Sequence, residues 1–563
     1  MRRWTLCATL AAVTLAGLVA CGEPEPVTLA LVDGRVWTGN LDQPWAEAIA
    51  VSGDRITAVG SSEEVRGLLD DDVQVIELQG RLVVPAFGDS HTHFIGGGFG
   101  LLGLDLRYAE SKEEFVRRIA AYAATLPPGR WITGGEWDHE RWPGAPLPRR
   151  EWIDSVTPNH PVFIQRLDGH MGLANSLALR EAGVTLGTAE PAGGVIVRDT
   201  RTGEPTGVLK DAAMPLVTSK IPPPGPDEQD SALEAALDHA ASLGVTSIHD
   251  MSVPWRDVET YRRFRDRGEL TVRVQVFPDL SGWRRVAEEI ARTGRGDAWF
   301  RIGGLKAYVD GSLGSMTALF VEPFTQDPST HGELVTPLDS LRQWIFDADD
   351  AGLHLAIHAI GDSANHLLLD LYQELIETRG ARDRRLRIEH AQHLRPQDIS
   401  RFGQLGVIPS MQPYHAIDDG RWAEKRIGPV RIQTTYAFRA LLDSGARLAF
   451  GSDWNVAPLS PIEGIYAAVT RRTLDEVNPD GWVPEQKITV EEALRAYTRG
   501  HHYAGFRDGE LGSIEPGKLA DLVVLERDLF QIDPVEIQDV RVDLTLAGGA
   551  VVYERSPSPQ VAE

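Results

Sequence analysis

"RLVVPAFGDSHTHF" occupies residues 81 to 94. An apolar run leads into two histidines separated by one threonine. Side chains at i and i+2 of a strand project to the same face. His91 and His93 can therefore aim at one object if the run is a strand that ends beside them. One such pair is a weak signal, and its weight depends on what stands at the ends of the other apolar runs.

Seven further runs of this kind follow: "LGVTSIHDM" (243–251), "LTVRVQVFP" (270–278), "FRIGGLKAYVDGS" (300–312), "LHLAIHAIGD" (353–362), "RLRIEHAQ" (385–392), "GVIPSMQP" (406–413) and "RLAFGSDW" (447–454). Between them "SALEAALDHAASLG" and "SANHLLLDLYQELIETRG" space their apolar residues helically. Eight strands alternating with helices predict an α/β fold, a (β/α)8 TIM-like barrel over residues 85–505. The stretch between the first two strands is too long for one loop and helix. Residues from about 95 to 230 are read as an insertion after the first barrel strand, closed by "IPPPGP", which no helix tolerates. Residues 28–84 alternate short apolar runs with DG and GD turns, and 506–554 are β-like again. The two chain ends are expected to build one small β-sandwich domain.

Barrel active sites are assembled at the C-terminal ends of the strands. There the first strand offers His91 and His93, the fourth Lys306 and Asp310, the fifth His358, the sixth His390 and the eighth Asp453. Each has a plain structural reading when taken singly; Asp453, for example, suits a helix N-cap. Together, four histidines, a lysine and an aspartate on five strand ends suit a site for two metal ions.

Composition narrows the chemistry. The 563-residue chain carries a formal net charge of −25 and no basic block, which argues against nucleic acid and against an anionic lipid surface as partners. It has two cysteines, Cys7 and Cys21. Any metal in the body of the protein must then be held by His, Asp, Glu or a modified Lys rather than by thiolate. "MRRW" followed by "TLCATLAAVTLAGLVA" reads as an export signal too short for a membrane span. "LVAC" at 18–21 resembles a bacterial lipobox, with residues 1–20 removed, Cys21 lipidated, and 21–27 a tether. Gly22, rather than Asp, leans the expected location to the periplasmic face of an outer membrane where one exists.

"GDSHTHF", "LKAYVDGSLGSMTA", "HAIGD", "RIEHAQ" and "FGSDW" resemble the amidohydrolase superfamily, and within it the amidohydrolase family 3 group that includes N-substituted formamide deformylase-like enzymes. The resemblance runs from about residue 27 to 553. It implies that His91 and His93 hold one divalent metal with Asp453, that His358 and His390 hold a second, and that Lys306 is carboxylated and bridges the two. Zinc is the expected metal. It further implies hydrolysis of a non-peptide C–N bond by a hydroxide shared between the metals, with Asp453 as the catalytic proton carrier. His170 in "DGHMGLANSLAL" matches a family motif and is expected to contact substrate.

Trp454 is a second candidate substrate contact, and Trp137 and Trp142 are weighed between an aromatic pocket and core packing. Asp310 is read as orienting Lys306 or fixing its loop. Members of the group often carry Arg where Met316 stands, which makes an anionic substrate a poorer fit. The expected ligand is a small amide-type molecule. A homodimer is compatible with the resemblance, and membrane contact is expected through the N-terminal lipid alone.

Two alternatives stay open. One is a mononuclear, deaminase-like site with an unmodified Lys306. The other is a lipid-anchored binding protein that has lost catalysis. The lipobox reading predicts that Cys21→Ser shifts the protein from the membrane to the soluble fraction on cell fractionation. Unchanged membrane retention refutes it.

Overall fold

The structure, a computed structural model, describes residues 26–556. The signal segment and Cys21 lie outside the described residues.

Strand Phe87–Thr92 pairs in parallel with Val245–Met251, which pairs with Arg273–Phe277, which pairs with Phe300–Ile302. A second parallel run joins Leu305–Tyr308, Leu355–Ala359, Arg387–His390, Ile408–Met411 and Ala449–Phe450. Two parallel bridges link these sheets at both edges, Asp279 with Lys306 and Thr92 with Trp454. The strands therefore close into a ring. Their side chains are almost all buried, as expected for parallel strands covered on both faces.

Two expected strands divide. "FRIGGLKAY" breaks at Gly303–Gly304, where a Cβ on Gly303 would lie 2.2 Å from Gln275 Cγ and one on Gly304 2.6 Å from the His354 carbonyl. Close approach of neighbours at this point admits only glycine, and the strand changes partner across it. "RLVVPAF" also divides. Leu82–Pro85 pairs antiparallel with Leu522–Leu525, and the chain enters the ring only at Phe87. Pro85 donates no hydrogen bond, which suits the last residue of a strand leaving its sheet.

Both chain ends meet in one six-stranded sheet, ordered Ala550–Glu554, Val542–Ala547, Leu522–Leu525, Leu82–Pro85, Arg35–Trp37, Trp45–Ala46. A four-stranded sheet, Arg55–Gly60, Ala48–Ser52, Leu29–Val32, Gln74–Glu77, lies beside it. Leu31, Ile49 and Val51 of the smaller sheet share an apolar cluster with Val36, Val83, Leu522 and Val524 of the larger. A buried ion pair, Arg273 to Asp521 at 2.9 Å, ties the larger sheet to the ring.

The segment between the first two ring strands contains an antiparallel sheet, Phe163–Gln165, Met171–Ala174, Pro205–Asp211, Gly194–Arg198. It has its own apolar cluster, which includes Trp137 and Trp142. Their indole N–H groups donate to the carbonyls of Ile164 (3.0 Å) and Ala109 (2.9 Å). Both tryptophans are thus core residues rather than the wall of an aromatic pocket. The segment ends where Pro226 starts helix Pro226–Ser242 at its first turn, a position that spends no hydrogen bond on the missing N–H.

Helix Phe94–Leu102, which follows the histidine pair, packs against Pro226–Ser242 at Gly98. A Cβ on Gly98 would lie 1.9 Å from the Ala232 carbonyl oxygen. Gly98→Ala is predicted to destabilise the fold by about 1–3 kcal/mol through overpacking, read as a lowered denaturant midpoint. An unchanged midpoint would show that the helices separate without cost.

Candidate metal centre

The end of the first ring strand is built around Asp89. Its carboxylate accepts the backbone N–H of His91 (3.0 Å) and of Ser452 (3.0 Å to each oxygen). Burial pushes its pKa up to about 7 against those hydrogen bonds. The clamp brings the "GSDW" turn onto the histidine strand. The Asp453 N–H then donates to the His91 carbonyl at 2.7 Å, and the His93 N–H donates to the Trp454 carbonyl.

The six expected ligands converge. His93 Nε2 lies 3.3 Å and His91 Nε2 3.6 Å from Asp453 Oδ1, and His390 Nδ1 lies 3.9 Å from Asp453 Oδ2. Lys306 Nζ is 3.0 Å from His91 Nε2. The His390 ring sits 4.7 Å from that of His91 and 4.6 Å from that of His358, centroid to centroid. The strand-end backbone is turned to achieve this, with His390 at φ 72° and Asp453 at φ 62°. Such left-handed conformations cost a non-glycine residue about 1–3 kcal/mol and cluster at functional sites.

Supporting groups hold the rings in one orientation. His91 Nδ1–H donates to Glu389 at 2.6 Å, which leaves Nε2 facing the cluster. Glu389 is in turn paired with the fully buried Arg387, which also donates to the Ser90 carbonyl, Ser410 Oγ and His249 Nδ1. His358 Nε2 donates to the Gly311 carbonyl at 3.1 Å. Asp310 does not reach Lys306 by any hydrogen bond. Its oxygens accept the N–H groups of Leu319, Ile360 and Gly361, which fixes the loops around His358.

The electrostatics suit cation binding. Burial, and then Lys306, hold the His91 pKa well below the ordinary value, so the ring is neutral with a lone pair available. Burial lowers the Lys306 amine to about 8. Burial works against the Asp453 carboxylate, yet His91 and His93 keep its pKa below the usual carboxylate range. Its Oδ1 is nevertheless buried without a hydrogen-bond partner. An orphaned, ionised oxygen facing the ring nitrogens of His91 and His93 fits a divalent cation. His91, His93 and Asp453 present ligand atoms within 4.8 Å of one another, as do His390, His415 and Asp453.

A cleft above the cluster is lined by His170, His358, His390, His415 and Asp453 together with Asp138, Arg166, Asp168 and Asp419. His170 arrives from the inserted segment. Its Nδ1 is held by Asp211 at 2.6 Å, and its ring lies 5.3 Å from that of His358. Trp454 does not line this cleft. Its indole packs against Phe94, His239 and Gly97, so the expected substrate contact is corrected to a core position. Met316 packs partly buried against the main core. The cation that does line the cleft, Arg166, is paired with two carboxylates, Asp138 (3.0 Å) and Asp168 (2.7 Å), which balance its charge.

Three contributors escaped the sequence reading: Asp89, Glu389 and His415. The first two lie inside quoted motifs. Arg387 and Glu389, two apart in an apolar run, were a legible sign of a buried pair facing the ring interior. His415 follows "SMQP" on the short helix Pro413–Asp419, and nothing local marked it.

The chain resembles known proteins along nearly its whole described length. A family model described as "Amidohydrolase family" matches residues 74–553. Protein LONG AFTER FAR-RED 3 of Arabidopsis thaliana is 38% identical over 537 residues, 93% of this chain and 91% of that protein. N-substituted formamide deformylase of Arthrobacter pascens is 30% identical over 551 residues, 94% of this chain and 99% of that enzyme. A solved structure of an uncharacterised metal-dependent hydrolase from Pyrococcus furiosus superposes with a TM-score of 0.70 at 30% identity, covering 90% of this chain and 99% of the other.

Glu389→Gln removes the carboxylate that orients His91. It is predicted to weaken divalent-metal affinity roughly 10–100-fold, measured by competition with a chromophoric chelator. Unaltered affinity would mean that His91 takes no orientation from Glu389.

Proposed function

The chain belongs to the amidohydrolase family, and from that premise we propose that it is a metal-dependent hydrolase cleaving a non-peptide C–N bond in an amide, N-formyl or cyclic amide. The observation that carries this reading is the convergence of His91, His93 and His390 on Asp453, whose Oδ1 is buried without a partner, with Lys306 against His91 and His358 against His390. The deformylase relative supports N-formyl amides within that range.

In this reading His91, His93 and Asp453 would hold one cation and His358 and His390 a second. Lys306, carboxylated on its amine, would supply an anionic oxygen donor between the two sets. Zinc suits such a nitrogen and oxygen donor set. A bound divalent cation polarises a carbonyl and lowers the pKa of water towards ~7. The remaining work falls to the protein's own groups. Asp453 accepts a proton from the attacking water as its oxygen adds to the carbonyl carbon. Asp453 then gives that proton to the nitrogen as the C–N bond breaks, so the products are an acid and an amine. Glu389 and the Gly311 carbonyl keep the two imidazoles in the ligating orientation throughout. His170 covers the cleft from the inserted segment and contacts the substrate. The lipobox resemblance of "LVAC" would place the protein outside the cytoplasm, held to a bacterial membrane through Cys21.

A one-cation version is favoured by the compactness of the His91, His93 and Asp453 group. His358 would complete that set, Lys306 would remain an amine, and His390 would position the water. Elemental analysis with intact-mass measurement separates the versions: two metals and one added carbon dioxide per chain against one metal and a bare lysine.

Metal-loaded protein is expected to hydrolyse at least one member of a panel of N-formyl, N-acyl and cyclic amides. Asp453→Asn is expected to lower kcat roughly 10²–10⁴-fold with the fold intact by circular dichroism. Tight binding of a panel amide without turnover by the wild type would turn the reading to a binding protein.

A further inference from the structure

The proposed cation donors leave one imidazole without a role. His415 follows strand Ile408–Met411 on helix Pro413–Asp419 and lines the cleft. One of its ring nitrogens lies within 4.8 Å of both a His390 nitrogen and an Asp453 oxygen. Its Nε2 is buried and has no hydrogen-bond partner. A buried polar atom left unpaired is costly, and this one belongs to a side chain that lines the cleft.

Two occupants compete, a cation and a substrate. The His390 nitrogen closest to Asp453 is Nδ1, at 3.9 Å, and it is already committed to Gln412 Oε1 at 2.8 Å. That commitment takes the His390 nitrogen nearest Asp453 out of ligation, which weighs against a cation held by His390, His415 and Asp453 together. Several other polar groups of the cleft are engaged within the protein. Ser312 donates to Asp168 at 2.7 Å, Gln392 and Tyr436 donate to Asp419 at 2.8 and 2.6 Å, and Arg166 is doubly paired. His415 Nε2 has no partner, and a nitrogen of the same ring lies near the carboxylate assigned to carry the proton. An attacked carbonyl must sit beside that same carboxylate.

We infer that His415 is a catalytic residue, its Nε2–H donating a hydrogen bond to the carbonyl oxygen of the bound amide. The inference rests on the amide-hydrolysis reading above. As the water oxygen adds to the carbonyl carbon, the π pair moves onto the carbonyl oxygen, and the His415 hydrogen bond strengthens with that charge. When the C–N bond breaks, the pair returns to re-form the C=O and the nitrogen leaves with the proton carried by Asp453. His415 transfers no proton in either step.

The test uses the metal-loaded wild type, His415→Ala and His415→Gln, the last of which keeps an N–H donor. Metal per chain is measured by elemental analysis. Kinetics use the amide the wild type hydrolyses best, and inhibition uses its phosphinate analogue, a mimic of the tetrahedral state. His415→Ala is expected to keep the wild-type metal content and to lose roughly 10²–10³-fold in kcat with KM within a few-fold. Its phosphinate inhibition constant should rise in step with the kcat loss, and His415→Gln should recover part of both. Loss of one metal per chain in His415→Ala would make His415 a cation ligand and overturn the inference. So would an unchanged kcat, with the amide reading left standing in either case. A wild type that hydrolyses no amide in the panel overturns that reading and this inference with it.

Discussion

A single buried carboxylate closes the ring and, with it, the site. Asp89 accepts main-chain N–H groups from the first ring strand and from the turn after the last one. Those segments lie at opposite ends of the barrel sequence, and nothing but the closing of the ring brings them together. Once joined there, Asp453 has little choice of position. Its N–H is tied to the His91 carbonyl, and its backbone is held in the left-handed region. Its carboxylate therefore meets His91 and His93. The clamp is an acid buried with satisfied acceptors, which is stable only because backbone donors replace the water it gave up.

Behind the ligands stands a second layer of charge. His91 leans on Glu389, Glu389 on Arg387, and Arg387 on Ser90, Ser410 and His249. Both members of the Arg387–Glu389 pair are fully buried. Removing one partner of such a pair strands the other at a cost of several kcal/mol. The arrangement yields orientation rather than net stability, since an apolar replacement of the whole pair is often no less stable. A candidate ligand ring such as His91 is thereby held in one orientation.

Much of this was legible in the residues. Ring strands covered on both faces must be continuously apolar, so runs such as "LHLAIHAIGD" announced themselves, and their polar ends marked the site. What stayed hidden depended on partners remote in the chain. The break at Gly303–Gly304 follows from Gln275 and His354 pressing on it. The transfer of Leu82–Pro85 to another sheet follows from Leu522–Leu525. Trp454 looked like a cleft residue because it neighbours Asp453, but the turn that aims the acid inward sends the next side chain towards Phe94 and Gly97. His415 carried no signal because its position depends on where one short helix docks.

The six-stranded sheet also has a meaning in time. Leu82–Pro85, which leads directly into the histidine strand, is flanked on one side by Leu522–Leu525. That partner leaves a ribosome later than every ring strand. A nascent chain can fold its inserted segment and lay down the ring strands while this edge is still open. The foundation of the strand that carries His91 therefore waits for a segment made after the ring itself, and a chain cut short before Leu522 leaves Leu82–Pro85 with an open flank.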